Sequence, residues 1–535
     1  MVIGPVLEKR LGSLVAAGEM LRRLDVAGIV DGLCPIRDIA DLTHGQVIEA
    51  MVANRLSAPA PLVGLEEWAR EWAVAEVFGI APALLNDDRA ARALDAIAPQ
   101  VEKIVGSVGA KAIGEFGIDV ARCHWDMTSI SMFGAYPDQD EQYPKVKYGH
   151  PKDRRVDLKQ VQAGLAVTGD GGIPVWHRAY DGGAGEVAQV AGAMKALQKI
   201  AVGRDVLLVG DSKLISHPNV TAMTAARVRF IAPAPAAKIG KDVYAGLDLA
   251  AAVAVDYTAE RDAGKSAGQR DVYRVLEDTF EIKGPRKRDP VHTLRRILVH
   301  STGNARGQAA ARAKRLAKAA ADLEKVAAGA GGRYYATAEK IAERVGVITT
   351  TRRVGDCLRT TITTGQDGKP ALAWHFDQAV LAEQAAADGW YSLLTNIPAD
   401  QADAAKILTD YKGQAAVERR YGEFKGPLAV APMFLQDNKR ITALITVICL
   451  ALLVFCLIEW QVWRAIGGDG KMTGLYPDNR RLRPTGRMIL RHLSSLTMTP
   501  ATANSPPVIR INRGVQAHLL ELLGIDETRP RRLSI

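Results

Sequence analysis

The stretch IDVARCHWDMTSISMFG, residues 118–134, decides the fold class. Apolar and polar side chains alternate along it and strand formers dominate, so it predicts a β-strand. Asp126 sits inside that run. Downstream, VQAGLAVTGDGGIPVWHRAYDGG (161–183) reads as two strands around the turn Gly169-Asp170-Gly171-Gly172. EVAQVAGAMKALQKIA (186–201) reads as a helix. DVLLVGD (205–211) is a short buried strand ending on Asp211, 214–228 a helix, and RFIAP (229–233) a further strand. Strand, hairpin, helix, strand, helix, strand predicts an α/β layer with a mixed sheet.

Upstream of that layer, residues 1–117 read as a helical N-terminal domain for DNA binding or dimerisation, with plain packing as the bland alternative. Helices are expected at 14–30, at 43–56 behind the N-cap Thr43, at 65–77 and at 87–97. Downstream, residues 235–385 are too long for a loop and are expected to form an inserted, mainly β subdomain. It holds strand-like pieces at 271–282, 295–302, VGVITTT (345–351), 358–364 and 371–377. Its Ala-rich helix, 305–328, carries Arg306, Arg312, Lys314, Arg315, Lys318 and Lys325 against Asp322 and Glu324. That helix offers a basic face to DNA or an ordinary solvated face. The α/β pattern resumes at GWYSLLTN (389–396) and a long helix from 398 to 425. The core is thus expected in two parts, 118–234 and 386–465, followed by a basic region, 466–535.

The chain has 535 residues, 48% hydrophobic and 24% charged, which excludes a disordered or fibrous protein. Lys plus Arg is 69 against 59 for Asp plus Glu, a net charge of +10 that suits a polyanionic partner. From 461 to 535 there are twelve basic and five acidic residues, so this tail contributes +7 (12 − 5), with Arg480, Arg481, Arg483, Arg487 and Arg491 in one run. Five cysteines without a CxxC pair predict neither a disulfide framework nor a structural zinc site. The N-terminus has no secretory pattern, so a reducing cytoplasm is the expected compartment. Residues 441–458, ITALITVICLALLVFCLI, carry no charge and have the length of a membrane span, or of a helix buried on all sides.

Three acidic residues carry the chemistry. Asp126 and Asp211 lie in or at the ends of strands, where α/β sheets place their sites. Two such carboxylates become favourable neighbours when they share a divalent cation, and Mg²⁺ and Mn²⁺ prefer hard oxygen ligands. In DYKGQAAVERRYGEFKGP (410–427), Tyr411, Gln414, Glu418 and Lys425 would fall within about 60° on one continuous helix, at about 100° per residue. A charged surface helix competes with that reading.

The spacing Y-(2)-x-(3)-E-(6)-K resembles the YREK signature of DDE transposases of bacterial insertion sequences. The chain is similar to the insertion-sequence-4 superfamily, in its 1634-like branch. NDDRAARALDAI (86–97), WDMTSISMFG (125–134), the stretch 148–175 with AYDGG after it, VLLVGDSKLIS (206–216) and GWYSLLTN resemble that branch in order, over roughly residues 10–465. The resemblance implies an RNase H-like mixed sheet with helices on both faces. It implies Asp126, Asp211 and Glu418 as the catalytic, metal-binding triad, separated by 85 (211 − 126) and 207 (418 − 211) residues. The relatives' apolar helix behind the sheet corresponds to 441–458, which argues against a membrane partner.

The same resemblance implies DNA contacts from Tyr411 and Lys425. The family arginine is here Gln414, which hydrogen-bonds but lacks the charge and the phosphate fork. The implied activity is Mg²⁺-dependent cleavage at the element's ends and strand transfer, with Mn²⁺ able to substitute. Two ions about 3.5–4 Å apart serve such displacements. The implied partners are double-stranded DNA, as terminal inverted repeats and as target, and a second copy of the chain. A catalytically inactive, domesticated DNA-binding protein is the alternative. The basic loop 145–159 is expected to track phosphates. Asp153, Asp157 and Asp170 are expected to serve turns rather than metal.

Overall fold

The computed structural model describes residues 8–201, 204–259, 262–366, 368–501, 507–511 and 514–526. The N-terminal residues 1–7, and Arg513, Arg529, Arg531 and Arg532 of the basic tail, lie outside them. The chain forms two compact units. The first comprises Met1–Leu214, Ala222–Phe230 and Lys412–Ile535; the second comprises Ile215–Thr221 and Ile231–Tyr411.

In the first unit the alternation at 118–134 gives the strand Arg122–Met132, buried along nearly its whole length. The predicted hairpin is present as Lys159–Thr168 and Pro174–Tyr180. Its turn needs glycine: Gly171 and Gly172 take φ of +71° and +59°, where a Cβ is strained. The sheet order is Pro174–Tyr180, Lys159–Thr168, Arg122–Met132, Leu207–Val209. The first three strands are antiparallel and Leu207–Val209 joins in parallel, so the sheet is mixed, as expected.

Helices cover this sheet. Val101–Phe116, which the sequence reading did not separate, packs against Pro174–Tyr180. The approach is so close that a Cβ on Gly109 would lie 2.5 Å from the Val175 carbonyl oxygen. Ala415–Lys425 lies on Arg122–Met132 and Lys159–Thr168. The apolar segment forms Asn438–Ile466, and its 18-residue apolar window is wholly buried. It touches Leu14–Leu24, His44–Ser57, Asp87–Ile97, Pro174–Tyr180 and Gly486–Leu493, so within this unit it is a core helix. Each buried Leu or Ile along it contributes about 1.5–3 kcal/mol. Its threonines are compatible with burial because Thr442 and Thr446 donate to the carbonyls of Asn438 and Thr442.

Several helix expectations need correction. The 14–30 helix is two, Leu14–Leu24 and Val26–Leu33, broken where Asp25 turns left-handed at φ +53°. The 65–77 helix is also two, Leu65–Glu71 and Val74–Phe78, because Trp72 is extended and bridges to Arg10. Thr43 caps His44–Ser57 in a full capping box with Gln46, as its position predicts.

The second unit has the sheet order Arg229–Pro233 (through its residues 231–233), Trp390–Thr395, His292–Ser301, Tyr273–Ile282, Val253–Val255, all antiparallel. A helical pair, Thr302–Ala328 and Ala338–Arg352, packs with the two-stranded sheet of Leu358–Thr364 and Pro370–Phe376. VGVITTT is therefore helical, not a strand. Its β-branched run favours strand, but Ile341, Val345 and Ile348 recur at helical spacing and all three are buried, behind the N-cap Thr337. The basic face of Thr302–Ala328 is partly neutralised: Arg312 clamps Asp388 at 2.8 and 2.5 Å, and Arg306 meets Asp271.

Candidate metal centre

The parallel pairing aligns Arg122 with Leu207, Cys123 with Leu208 and His124 with Val209, an offset of 85 residues (207 − 122). The sequence separation of Asp126 and Asp211 is the same 85. Extended by two residues, past the end of Leu207–Val209, the same offset brings Asp211 alongside Asp126. A third acid joins them. Glu186, the first residue of the helix Glu186–Ile200, contributes a carboxylate oxygen that lies with those of Asp126 and Asp211 within 4.8 Å of one another.

Two lysines balance these charges in part. Lys152 Nζ bridges both Asp126 oxygens, at 2.8 and 2.9 Å. Lys213 Nζ pairs with Glu186 Oε2 and stands 4.0 Å from Asp211 Oδ2. The Lys213 backbone N–H also donates to Asp211 Oδ1 at 2.9 Å, and the Met127 N–H to Asp126 Oδ1 at 2.8 Å. Burial and the adjoining Asp126 carboxylate push Glu186 up to about 7, against the pull of Lys213. Burial also raises Asp211, with Asp126 acting the same way and the Lys213 N–H opposing it. Burial lowers the Lys213 ammonium, but its bond to Glu186 and the three nearby carboxylates outweigh this and raise it.

The donor set fits a hard divalent cation. Three carboxylates on rigid elements lie within reach of one ion, whose opposite oxygen ligands stand about 4.2 Å apart at 2.1 Å each. Glu186 Oε1 is buried and, among the described residues, accepts no hydrogen bond.

The expected glutamate helix departs from prediction. The stretch 398–425 is not one helix: Ala404–Lys412 and Ala415–Lys425 are separated at Gly413-Gln414, where glycine's weak helix propensity permits the break. Tyr411 belongs to the second compact unit, and Gln414, Glu418 and Lys425 to the first. Glu418 is exposed and stands outside the three-carboxylate group. Gln414 Oε1 accepts from the buried His124 Nδ1 at 3.2 Å, which ties the start of its helix to the strand that carries Asp126. Lys425 is exposed; desolvation lowers its ammonium, Asp153 opposes that shift and Lys152 reinforces it, so it faces the 145–159 loop.

That loop contributes Lys152 to Asp126. Two of its acids pair within the unit: Asp153 accepts from Ser131 and from the Arg155 N–H, and Asp157 from the Arg155 guanidinium. The sequence reading missed Glu186 and the pairing roles of Lys152 and Lys213. The available signal was faint: Glu186 is the sole acid of EVAQVAGAMKALQKIA, at its first position.

Comparisons with known proteins cover the chain unevenly. The model of a domain of unknown function, DUF4277, matches residues 9–106, the helices that pack on the core helix of the first unit. No curated protein matches the chain. Among solved structures, the chain is similar to a cryo-EM structure of the piggyBac transposase synaptic complex with hairpin DNA. The identity is 9%, over 90% of this chain and 78% of that one, and the TM-score is 0.35, too low to carry an argument.

Proposed function

We propose that the protein is a DDE transposase that cleaves DNA at the ends of an insertion sequence and joins them to target DNA. The observation that carries the proposal is that Asp126, on its strand, and Asp211, two residues past the parallel strand Leu207–Val209, bring carboxylate oxygens within 4.8 Å of each other. The antiparallel meander with a parallel fourth strand supports an RNase H-like core. The ordered motifs at 86–97, 125–134, 148–183, 206–216 and 389–396 support the insertion-sequence-4 reading and its 1634-like branch. Mg²⁺ is the proposed cofactor and Mn²⁺ its substitute; the ion supplies charge neutralisation at the displaced and attacking oxygens.

The chain's own residues do the rest. Asp126, on its strand, and Asp211, just past the parallel strand beside it, would hold the ion. Glu418 is proposed as the third acid, reaching the site from the Ala415–Lys425 helix in the DNA complex. Tyr411, Gln414 and Lys425 are proposed DNA contacts, and the net charge of +10 favours duplex DNA as the partner. Two DNA ends cut in concert call for a homodimer, in a cytoplasmic setting.

The test is cleavage, with Mg²⁺, of a duplex carrying the inverted repeats that flank the gene. Asp126→Asn, Asp211→Asn and Glu418→Gln are each expected to abolish cutting, at least a hundredfold, while gel-shift binding survives. Wild-type cutting by any of them removes that residue from the triad. The exposure of Glu418 outside the carboxylate group favours one second reading, a transposon-derived DNA-binding protein without catalysis. Sequence-specific binding with no cleavage by the wild-type chain would establish it.

A further inference from the structure

We propose that Glu186 is a third protein ligand of the divalent cation held by Asp126 and Asp211, and that Lys213 is the counter-ion it gives up when the metal binds. This rests on the metal-site reading above and adds a residue that no motif supplied.

Glu186 is a buried carboxylate, its side chain 5% exposed. Burying a carboxylate is unfavourable unless both oxygens find partners. Oε2 has one, the Lys213 ammonium, but Oε1 has none among the described residues, although it is fully enclosed. The nearby charges make this worse: the carboxylates of Asp126 and Asp211 share the same pocket, within 4.8 Å. A proton shared with Asp126 would satisfy Oε1 only while Glu186 is neutral, and it leaves the Asp126 and Asp211 charges side by side. A divalent cation satisfies the orphan oxygen and neutralises the group together. Mg²⁺ and Mn²⁺ take carboxylate oxygens at such spacings. The position of Glu186 at the start of a fifteen-residue helix also fixes its backbone, so the side chain is delivered by a rigid element.

Lys213 is built to leave. Its side chain is 46% exposed, against 5% for Glu186, so it reaches into the pocket from the surface. Its Nζ stands between Glu186 and Asp211, near enough to neutralise part of both. The four-carbon stem can swing to solvent without moving the 3₁₀ turn Ser212–Leu214. Its backbone N–H would still hold Asp211.

The experiment is Mn²⁺ binding to the full-length protein without DNA, read from the electron paramagnetic resonance signal of free Mn²⁺. Wild type is compared with Glu186→Gln, Asp126→Asn, Asp211→Asn and Lys213→Gln. Glu186→Gln preserves shape and is expected to weaken binding at least tenfold. Lys213→Gln is expected to tighten it several-fold, a change that damage to the fold cannot produce. If Asp126→Asn and Asp211→Asn weaken binding while Glu186→Gln and Lys213→Gln both bind as wild type does, the inference fails and the Asp126–Asp211 reading stands. If none of the three carboxylate variants alters binding, the metal-site reading fails as well.

Discussion

Tyr421 shows how one side chain fixes the backbone of a candidate catalytic residue. Its hydroxyl donates to the Asp126 carbonyl at 2.5 Å, with the Ala163 carbonyl at 3.2 Å, and accepts from the Leu165 N–H at 3.0 Å. The phenol is buried, and burial together with the Asp126 charge raises it well above the usual tyrosine range, so it stays a donor. Tyr421→Phe keeps the ring and removes the hydroxyl, leaving buried backbone groups of two strands short of partners. It is expected to cost about 1–3 kcal/mol in urea unfolding. A stability equal to wild type would show that the strands do not need the bond. Tyr421 lies inside the segment read for its YREK spacing, yet nothing in that spacing singles it out. The sequence marks residues that recur in a motif; it does not mark a hydroxyl that meets two strands from a distant helix.

At the scale of elements, the docking of Ala415–Lys425 depends on a buried ion pair. Arg420 pairs with Glu459 of the core helix, with both side chains at most 2% exposed. Arg420 also donates to the carbonyls of Gly172 at 2.9 Å and Gly171 at 2.5 Å, and Glu459 accepts from the Gly486 N–H at 3.0 Å. Four elements thereby meet at one charge pair: the proposed glutamate helix, the hairpin turn, the core helix and the start of Gly486–Leu493. Arg420→Ala strands Glu459 in the core and is expected to cost about 3–5 kcal/mol in thermal or chemical unfolding. A loss below about 1 kcal/mol would mean that water reaches the pair. Element types were legible where one signal dominated, as in the strand around Asp126, the Gly-rich hairpin and the capped helix after Thr43. They were misread where packing overrode propensity, as in VGVITTT, or where a local break divided a periodic run, as at Asp25, Trp72 and Gly413.

At the scale of the molecule, the question is what the apolar helix Asn438–Ile466 does. Its burial against helices and strand of the first unit makes it the centre of that unit's core. All five cysteines are free and buried, and two of them, Cys449 and Cys456, lie on this helix. Burial pushes Cys123 and Cys456 up to about 12 and raises Cys34, Cys357 and Cys449, which suppresses the thiolate. Protein purified without detergent is therefore expected to react with essentially no thiol reagent within minutes, and with all five thiols after denaturation. Rapid native labelling of Cys449 or Cys456 would refute the core placement.

Legible in the chain alone were the alternation of strands and helices, the glycine turn, the apolar helix and the 85-residue spacing of Asp126 and Asp211. These are local patterns, or a register that parallel strands convert directly into proximity. Packing in three dimensions is what sets Glu186 beside those aspartates, Lys152 and Lys213 against them, and Glu418 apart. Each of those depends on which distant segments share a pocket. Side-chain burial and charge balance are set by neighbours in space, which sequence spacing does not encode.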